Sequence, residues 1–455
     1  MKNDLTKRRS LLLLAILLSI SPLFAQDGGY SLKEAVDYAI KNNLNVKNAQ
    51  LDAVSAEARI GEIRAAGLPQ VNANFTLIDN IIIQRFFLPA NAFDPTAPAD
   101  APPAAVEFGI PWQGSVSGTL NQLLFNGSYF VGLKAAATYR ELAQKSITSS
   151  KVTVAEGVTK AYYSAQVAEE RAKLLDLNIS RVDSLMRETK AMNEAGFVEL
   201  LDVNRLEVQV NNLRTERQKV QNLIELSYAL LKFQMGMPAG EQVKLTDDIN
   251  AVNIDSLRTT VTNVDISYES RIEYSLLSTQ EKLAGLDLRN VRSGYLPNAS
   301  IAVGYGHNNG QDKFSTLFNT RWFNNSAITL SVNVPIFDGF SKRYQIAQKK
   351  IEIDKVKNNQ TLLKQSIDLE TNQASINIKN AFATLETQKR NLDLAQEIVR
   401  VSKIKYKEGV GSNIEVIDAE SSYKEAQTNY FSSLYDFLIT KVDQDRALGR
   451  LYVGN

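Results

Sequence analysis

Two hydrophobic periods alternate along this chain, and the alternation is written twice. Ser341–Glu408 contains neither Gly nor Pro, and within it Leu385, Leu392, Val399 and Tyr406 recur every seventh residue. A continuous helix over that span would be roughly 100 Å long at 1.5 Å per residue. Earlier in the chain Leu175, Ile179, Val182 and Met186 step by four, three and four. Leu206, Val210, Leu213, Val220 and Ile224 continue the pattern past a Gly-containing break. Such seams predict long helices packed as coiled coils, with the Lys, Glu, Gln, Asn, Ser and Thr positions on solvated faces.

Four other runs alternate with period two, so each predicts a strand with unlike faces. Val71, Ala73, Phe75 and Leu77 oppose Asn72, Asn74 and Thr76. Val116, Gly118 and Leu120 oppose Ser115, Ser117, Thr119 and Asn121. Ile301, Val303 and Tyr305 oppose Ser300, Ala302 and Gly304. Ile328, Leu330, Val332, Val334 and Ile336 oppose Thr329, Ser331, Asn333 and Pro335. One apolar face and one small polar face suits a strand between lipid and a wet lumen. It also suits a soluble sheet whose apolar face packs on helices. Topology favours the first reading: four strands cannot close a membrane barrel, open edges are not tolerated in lipid, and strands from several chains can close one. Trp112, Phe125, Trp322, Phe323 and Phe337 lie near the strand ends, where interfacial aromatics are expected.

The duplication shows in three ordered matches. Arg64–Val71 resembles Arg292–Ala299, each with a Leu-Pro pair (Leu68-Pro69, Leu296-Pro297) that stops a helix. Leu124–Gly127 resembles Ile336–Gly339. Gly196–Val203 resembles Gly409–Val416. The spacing changes between Val71 and Leu124, which locates an insertion in the first copy. That interval holds Pro89, Pro95, Pro98, Pro102, Pro103 and Pro111, six of the chain's 11 prolines. We therefore expect 86–112 to be a long exposed loop with no ladder and no helix. The first repeat is 26–255: a helix over Ser31–Ala66, a β-hairpin over 71–125 and long helices over 128–235. The second is 256–455: a helix over Ile272–Ser293, a hairpin over 299–337 and long helices over 341–449.

Composition narrows the chemistry. The formal net charge of +1 gives no nucleic-acid surface. With no cysteine, disulfides, thiolate metal sites and cysteine nucleophiles are excluded. The single histidine, His307, sits among Gly306, Asn308, Asn309 and Gly310 and reads as a solvated loop residue. No catalytic, cofactor-binding or metal-ligating constellation is present, so we expect no enzyme. Lys7, Arg8 and Arg9, the apolar run Leu11–Ile20 and Ser21–Gln26 read as a secretory signal over 1–25, cleaved after Ala25. Beyond it no apolar run is long enough for a transmembrane helix.

The duplication, the two Leu-Pro junctions, the two Phe-Asn/Asp-Gly turns and the two Gly-plus-six acidic motifs together resemble the TolC-like outer-membrane efflux proteins. The resemblance covers essentially the whole chain after residue 25. It implies an α+β membrane protein of the Gram-negative outer membrane that extends into the periplasm. Each homotrimer would form a long α-helical coiled-coil barrel and a twelve-stranded transmembrane β-barrel, four strands per chain. The function implied is an exit duct fed by an inner-membrane pump and a periplasmic adaptor protein, in efflux or type I secretion, with no cofactor.

Carried over residue by residue, Glu415 and Asp418 match an acidic ring at the constricted periplasmic entrance. Crowded carboxylates there should favour cations and have raised pKa values. Tyr406 matches the tyrosine of a closed-state polar link, and Asp202 its acceptor. A second family link uses arginine where this chain has Gly411. Gly196, Phe197, Gly409, Val410 and Gly411 match the helix-turn tips that dock the adaptor. Asp202 and Glu415 also fall near helix starts, where a carboxylate is favourable in any case. A periplasmic coiled-coil adaptor is the main rival reading. It would share the export signal and heptads but has no reason for four such strands.

Overall fold

The computed structural model describes residues 29–89, 92, 96, 98, 100–249 and 267–452. The expected signal over 1–25 lies outside the described residues. In chain order the helices are α1 (Leu32–Asn42), α2 (Leu44–Ala65), α3 (Gly127–Glu194), α4 (Leu200–Met235), α5 (Ile272–Ser293), α6 (Phe314–Leu317), α7 (Ser341–Lys407) and α8 (Asn413–Ala447). The strands are β1 (Gln70–Asp79), β2 (Arg85–Leu88), β3 (Ala104–Glu107), β4 (Trp112–Asn126), β5 (Asn298–Gln311) and β6 (Phe323–Asn333). Two compact units emerge, 1–47 with 150–267 and 368–455, and 48–149 with 268–367. Each draws segments from both sequence repeats.

The first unit is helical, and its cores are the expected seams. Leu175, Val182 and Leu185 of α3 bury against Leu206, Val210, Leu213 and Val220 of α4, with Ile179, Met186 and Ile224 beside them. Ile378, Phe382 and Leu385 of α7 bury against Phe431, Leu434, Phe437 and Leu438 of α8. A third core sets Ala35 and Ala39 of α1 against Val158, Tyr162, Leu231 and Met235. The helix expected over Ser31–Ala66 is interrupted at Asn43, whose backbone is extended (φ −62°, ψ 131°). Its side chain explains the break. The amide donates to the Gln234 carbonyl at 2.8 Å and its oxygen accepts from Asn45 N–H at 2.8 Å, so local side-chain bonds replace the helical ladder.

The second unit contains the four-stranded antiparallel sheet in the order β1–β4–β5–β6. Its register aligns like with like. Val71, Leu120, Val303 and Ile328 form one continuous row across all four strands. Asn72, Thr119, Gly304 and Ala327 form the next row, pointing to the opposite face. No helical layer covers the apolar face along the edge strands. Every residue of β1 and of β6 is exposed, and Ile328 and Leu330 keep 75% and 65% of their surface bare. The reading as a soluble sheet packed on helices therefore fails. At one end of the sheet the connection from β5 to β6 folds over it: Leu317 of α6 is fully buried, Trp112 and Phe314 rings lie 4.9 Å apart, and Asn309 Nδ2 donates to Thr320 Oγ1 at 2.7 Å.

Three expectations are corrected here. His307 is not in a loop. It lies within β5, between Val116 and Asn324, with its ring 5.2 Å from that of Tyr305. Ladder pairing on both sides outweighs the weak strand preference of its Gly and Asn neighbours. The Pro-rich interval does carry a ladder. Arg85–Leu88 pairs with Ala104–Glu107, closed by an Arg85–Glu107 ion pair at 2.8 Å. The prolines at 89, 98, 102, 103 and 111 flank these two strands without entering them, and part of the stretch between them (90, 91, 93–95, 97 and 99) lies outside the described residues. The last strand stops at Asn333, short of Val334–Ile336, because Pro335 has no N–H to give a ladder.

Leu385, fully buried in the α7–α8 seam, offers a test of the packing. Leu385→Ala should cost about 3 kcal/mol, seen as a lower melting temperature of the detergent-solubilised protein by circular dichroism.

Candidate functional site

The two helix reversals, at 195–199 and 408–412, gather most of the residues singled out in the sequence. Both are built alike. Gly196 and Gly409 take left-handed backbone (φ 82° and 71°), a conformation that glycine adopts without steric cost. In each, the next residue bonds back over the helix end: Phe197 N–H donates to the Met192 carbonyl at 2.9 Å and Val410 N–H to the Lys405 carbonyl at 3.0 Å. These are matched helix-ending motifs, which explains why the two sequence stretches resemble each other. Phe197 and Val410, the residues after each glycine, are left exposed, 78% and 73% bare. At the second reversal an added Cβ on Gly411 would lie 2.9 Å from Lys405 Cβ. The turn is thus closed too tightly there for the arginine of the family pattern.

The acidic residues fall into three settings. Glu415 is in the first turn of α8; its N–H donates to the capping Ser412 hydroxyl at 3.3 Å, and Lys405 Nζ lies 3.9 Å from its carboxylate. Asp418 is exposed one turn further on. Asp202, in the first turn of α4, pairs with Arg205 at 3.5 Å, while its carbonyl accepts from the buried Asn413 side chain at 3.5 Å. The expected link between Tyr406 and Asp202 does not form within the chain. The Tyr406 hydroxyl lies 4.0 Å from Met192 Sδ, and Arg205, three residues along the same helix, takes the carboxylate instead. Tyr406 and Met192 both line a groove of about 500 Å³ between α3 and α7.

Sequence reading missed one cluster. Glu420 is buried, with 4% of its side chain exposed. It faces Arg181 Nε at 3.0 Å and Lys403 Nζ at 2.7 Å. The signal was present: Glu420 stands in the seam position between Val416 and Tyr423, where the period calls for an apolar residue. Among the described residues no group of His, Cys, Asp and Glu could hold a metal ion, and no helix is long and apolar enough to cross a membrane.

A duplicated chain with two coiled-coil hairpins, matched reversals and a sheet left bare on its apolar face defines a membrane channel subunit of the long-helix type. The comparisons agree. Residues 280–450 match the family model for outer membrane efflux proteins. The outer membrane protein TolC of Vibrio cholerae is 21% identical over 339 residues, covering 73% of this chain and 75% of TolC. TolC of Escherichia coli is 19% identical over 458 residues, covering 97% and 87%. The solved structure of CusC superposes with a TM-score of 0.70 at 17% identity, over 92% of this chain and 91% of CusC. Over residues 280–450 the chain thus matches the outer membrane efflux protein family, and over most of its length it is similar to TolC-like outer-membrane proteins of Gram-negative bacteria. The proteins it resembles are channels rather than enzymes.

The reversal at 408–412 depends on its cap. Ser412→Ala should cost about 1 kcal/mol locally, read as faster hydrogen exchange of the Glu415 amide, with the exchange of α8 beyond Gln427 unchanged.

Proposed function

We propose that this chain is the outer-membrane exit duct of a tripartite export machine. Three copies close a twelve-stranded barrel, and substrate arrives from an inner-membrane pump through a periplasmic adaptor. The bare sheet carries this reading. β1 and β6 are edge strands with exposed apolar side chains on one face and Asn, Ser and Thr on the other. In water such edges invite aggregation. In lipid they must be paired, and pairing β6 of one copy with β1 of the next satisfies every backbone group. The aromatic rings at the two ends of the sheet (Trp112, Phe314 and Trp322; Phe125 and Phe337) would sit at the membrane interfaces.

The helix reversals are the periplasmic entrance in this proposal. Phe197 and Val410, bare beside Gly196, Gly409 and Gly411, are the surface an adaptor would cover. Glu415 and Asp418 are the acidic residues that cations meet on entry. The two are not equivalent. Lys405 offsets Glu415, whereas among the described residues Asp418 forms no ion pair. Tyr406 and Asp202 keep a gating role only if they meet across the boundary between copies, since within one chain they do not.

Planar-bilayer recording of the purified trimer tests this. Discrete single-channel steps with cation-selective reversal potentials are expected, and the absence of steps from a correctly assembled trimer would overturn the duct. Asp418→Asn should reduce the reversal potential in a salt gradient more than Glu415→Gln, because Lys405 already compensates Glu415. Equal shifts would show that Lys405 does not act at the entrance. Tyr406→Phe with Asp202→Ala should raise conductance only if the two residues join neighbouring copies.

A further inference from the structure

The sheet's two connections fold over opposite faces at the same end, the end away from the α2–β1 and β4–α3 junctions. Period two assigns the faces. Gly114 shares the apolar face with Val116 and Leu120, whereas Gly310 pairs with Gln113 on the face of Ser115 and Ser117. The β5–β6 connection seats on the apolar face: a Cβ added to Gly114 would lie 2.8 Å from Trp322 Cη2 and 3.5 Å from Leu317 Cδ2. The β1–β4 connection seats on the polar face: a Cβ added to Gly310 would lie 2.8 Å from Ile110 Cδ1. Its root is fixed. Asn80 N–H donates to the Pro111 carbonyl at 2.7 Å, and Asn80 Nδ2 donates to the Ile110 carbonyl at 2.9 Å. From this root rises the β2–β3 ribbon, whose two sides differ. One side carries Phe86, opposite Val106, with its ring 6.2 Å from that of Phe108. The other carries Phe87, beside an open groove of about 980 Å³ that Ile81 and Ile82 also line. Both isoleucines keep 89% of their surface bare, and Phe86, Phe87 and Phe108 are exposed.

We propose that this ribbon is a docking surface for the same ribbon of a second copy. The Phe86–Phe108 side of one copy fills the groove of Ile81, Ile82 and Phe87 on the next, and three ribbons joined in this way cover the outer mouth of the barrel. This rests on the reading of the sheet as one third of a trimeric barrel. Four features select a second copy as the occupant. A two-stranded ribbon this short is unstable alone in water, so its bare rings call for cover. Its root lies on the polar face, which is the lumen side of the barrel, so lipid does not supply that cover. The ribbon continues from β1, the edge strand that meets the next copy, so each ribbon stands at a boundary between copies. The only charges on its strands, Arg85 and Glu107, pair with each other at 2.8 Å and leave no net charge to hold copies apart. Unlike sides joined head to tail make a heterologous contact, which a threefold rotation closes into a ring.

The chain has no cysteine, so introduced thiols report contacts without background. Full-length protein carrying Phe87→Cys with Phe108→Cys, treated in its membrane with a short bismaleimide, should run as a covalent trimer on a denaturing gel. Phe87→Cys with Leu330→Cys, which places the second thiol on the apolar face, should give no covalent trimer. A second measurement removes the ribbon. Because Asn80 and Pro111 are already bonded, an Asn-Gly turn can replace 81–110. In whole cells, Ser117→Cys on the polar face should then react with an exterior polymer-linked maleimide about tenfold faster than with the ribbon present, equivalent to about 1.4 kcal/mol of closure. An intact trimer that gives no covalent trimer, or equal labelling rates with and without the ribbon, overturns the proposal. So does a fluorophore on Phe87→Cys that brominated lipid quenches, which would put the ribbon in the bilayer. A chain that forms no trimer by size-exclusion chromatography overturns the duct and this contact together, whereas an intact trimer without cross-links overturns the contact alone.

Discussion

The sheet's unfinished edges are the constraint on which the other features turn. A four-stranded antiparallel sheet with β1 and β6 unpaired and Val71, Leu120, Val303 and Ile328 aligned on an uncovered face has no stable solution in water. Covering the face with a helix would finish it as a soluble domain, and among the described residues β1 and β6 stay bare along their whole length. Within the helical unit the long helices bury apolar stripes in one another instead. The partition is therefore decided at the level of side-chain periodicity: seams of seven pair helix with helix, and rows of two stay bare on the edge strands.

The same partition explains why so much of the fold could be read directly from the residues. The heptad positions Leu175, Val182, Leu206, Val210 and Leu213 form the observed core as spaced, because long uninterrupted helices leave few alternative ways to bury a stripe. The strand faces were legible for the same reason: the period is two, and a shift of one residue would put Asn72 and Thr119 among the apolar side chains. What failed was local. His307 and its Gly and Asn neighbours have loop chemistry, yet pairing on both sides makes them strand. Arg85–Leu88 and Ala104–Glu107 form a ladder inside a stretch that proline content marked as irregular, since prolines at the flanks of short strands do not disrupt them. Asn43 breaks a helix through contacts with Gln234, almost two hundred positions away, and no local pattern encodes that.

The residues at the helix reversals were legible by position and illegible by partner. Gly196 and Gly409 are fixed by the left-handed turn they must make, so their spacing survives as a motif. Side-chain partners at such a turn depend on which rotamer and which neighbouring helix win a local competition. Asp202 illustrates this: Arg205 on its own helix is nearer to hand than Tyr406 on another, and a short-range pair costs less ordering entropy than a long-range one. Glu420 illustrates the converse. A charge at a seam position looks like an interruption of the hydrophobic pattern, and its meaning appears only when α3, α7 and α8 each bring a side chain to it.

Polar ties and apolar seams contribute differently to this structure. An apolar seam such as Leu385 against the α8 side chains is non-directional and deep, and it resists any change of packing. A buried carboxylate between two cations is worth little net stability, because desolvation offsets most of the attraction, but it discriminates sharply between arrangements that satisfy it and those that do not. Both kinds of contact join the hairpins here: Val416 of α8 is buried among α3 and α4 side chains, Val167 of α3 among those of α7 and α8, and Glu420 faces Arg181 and Lys403.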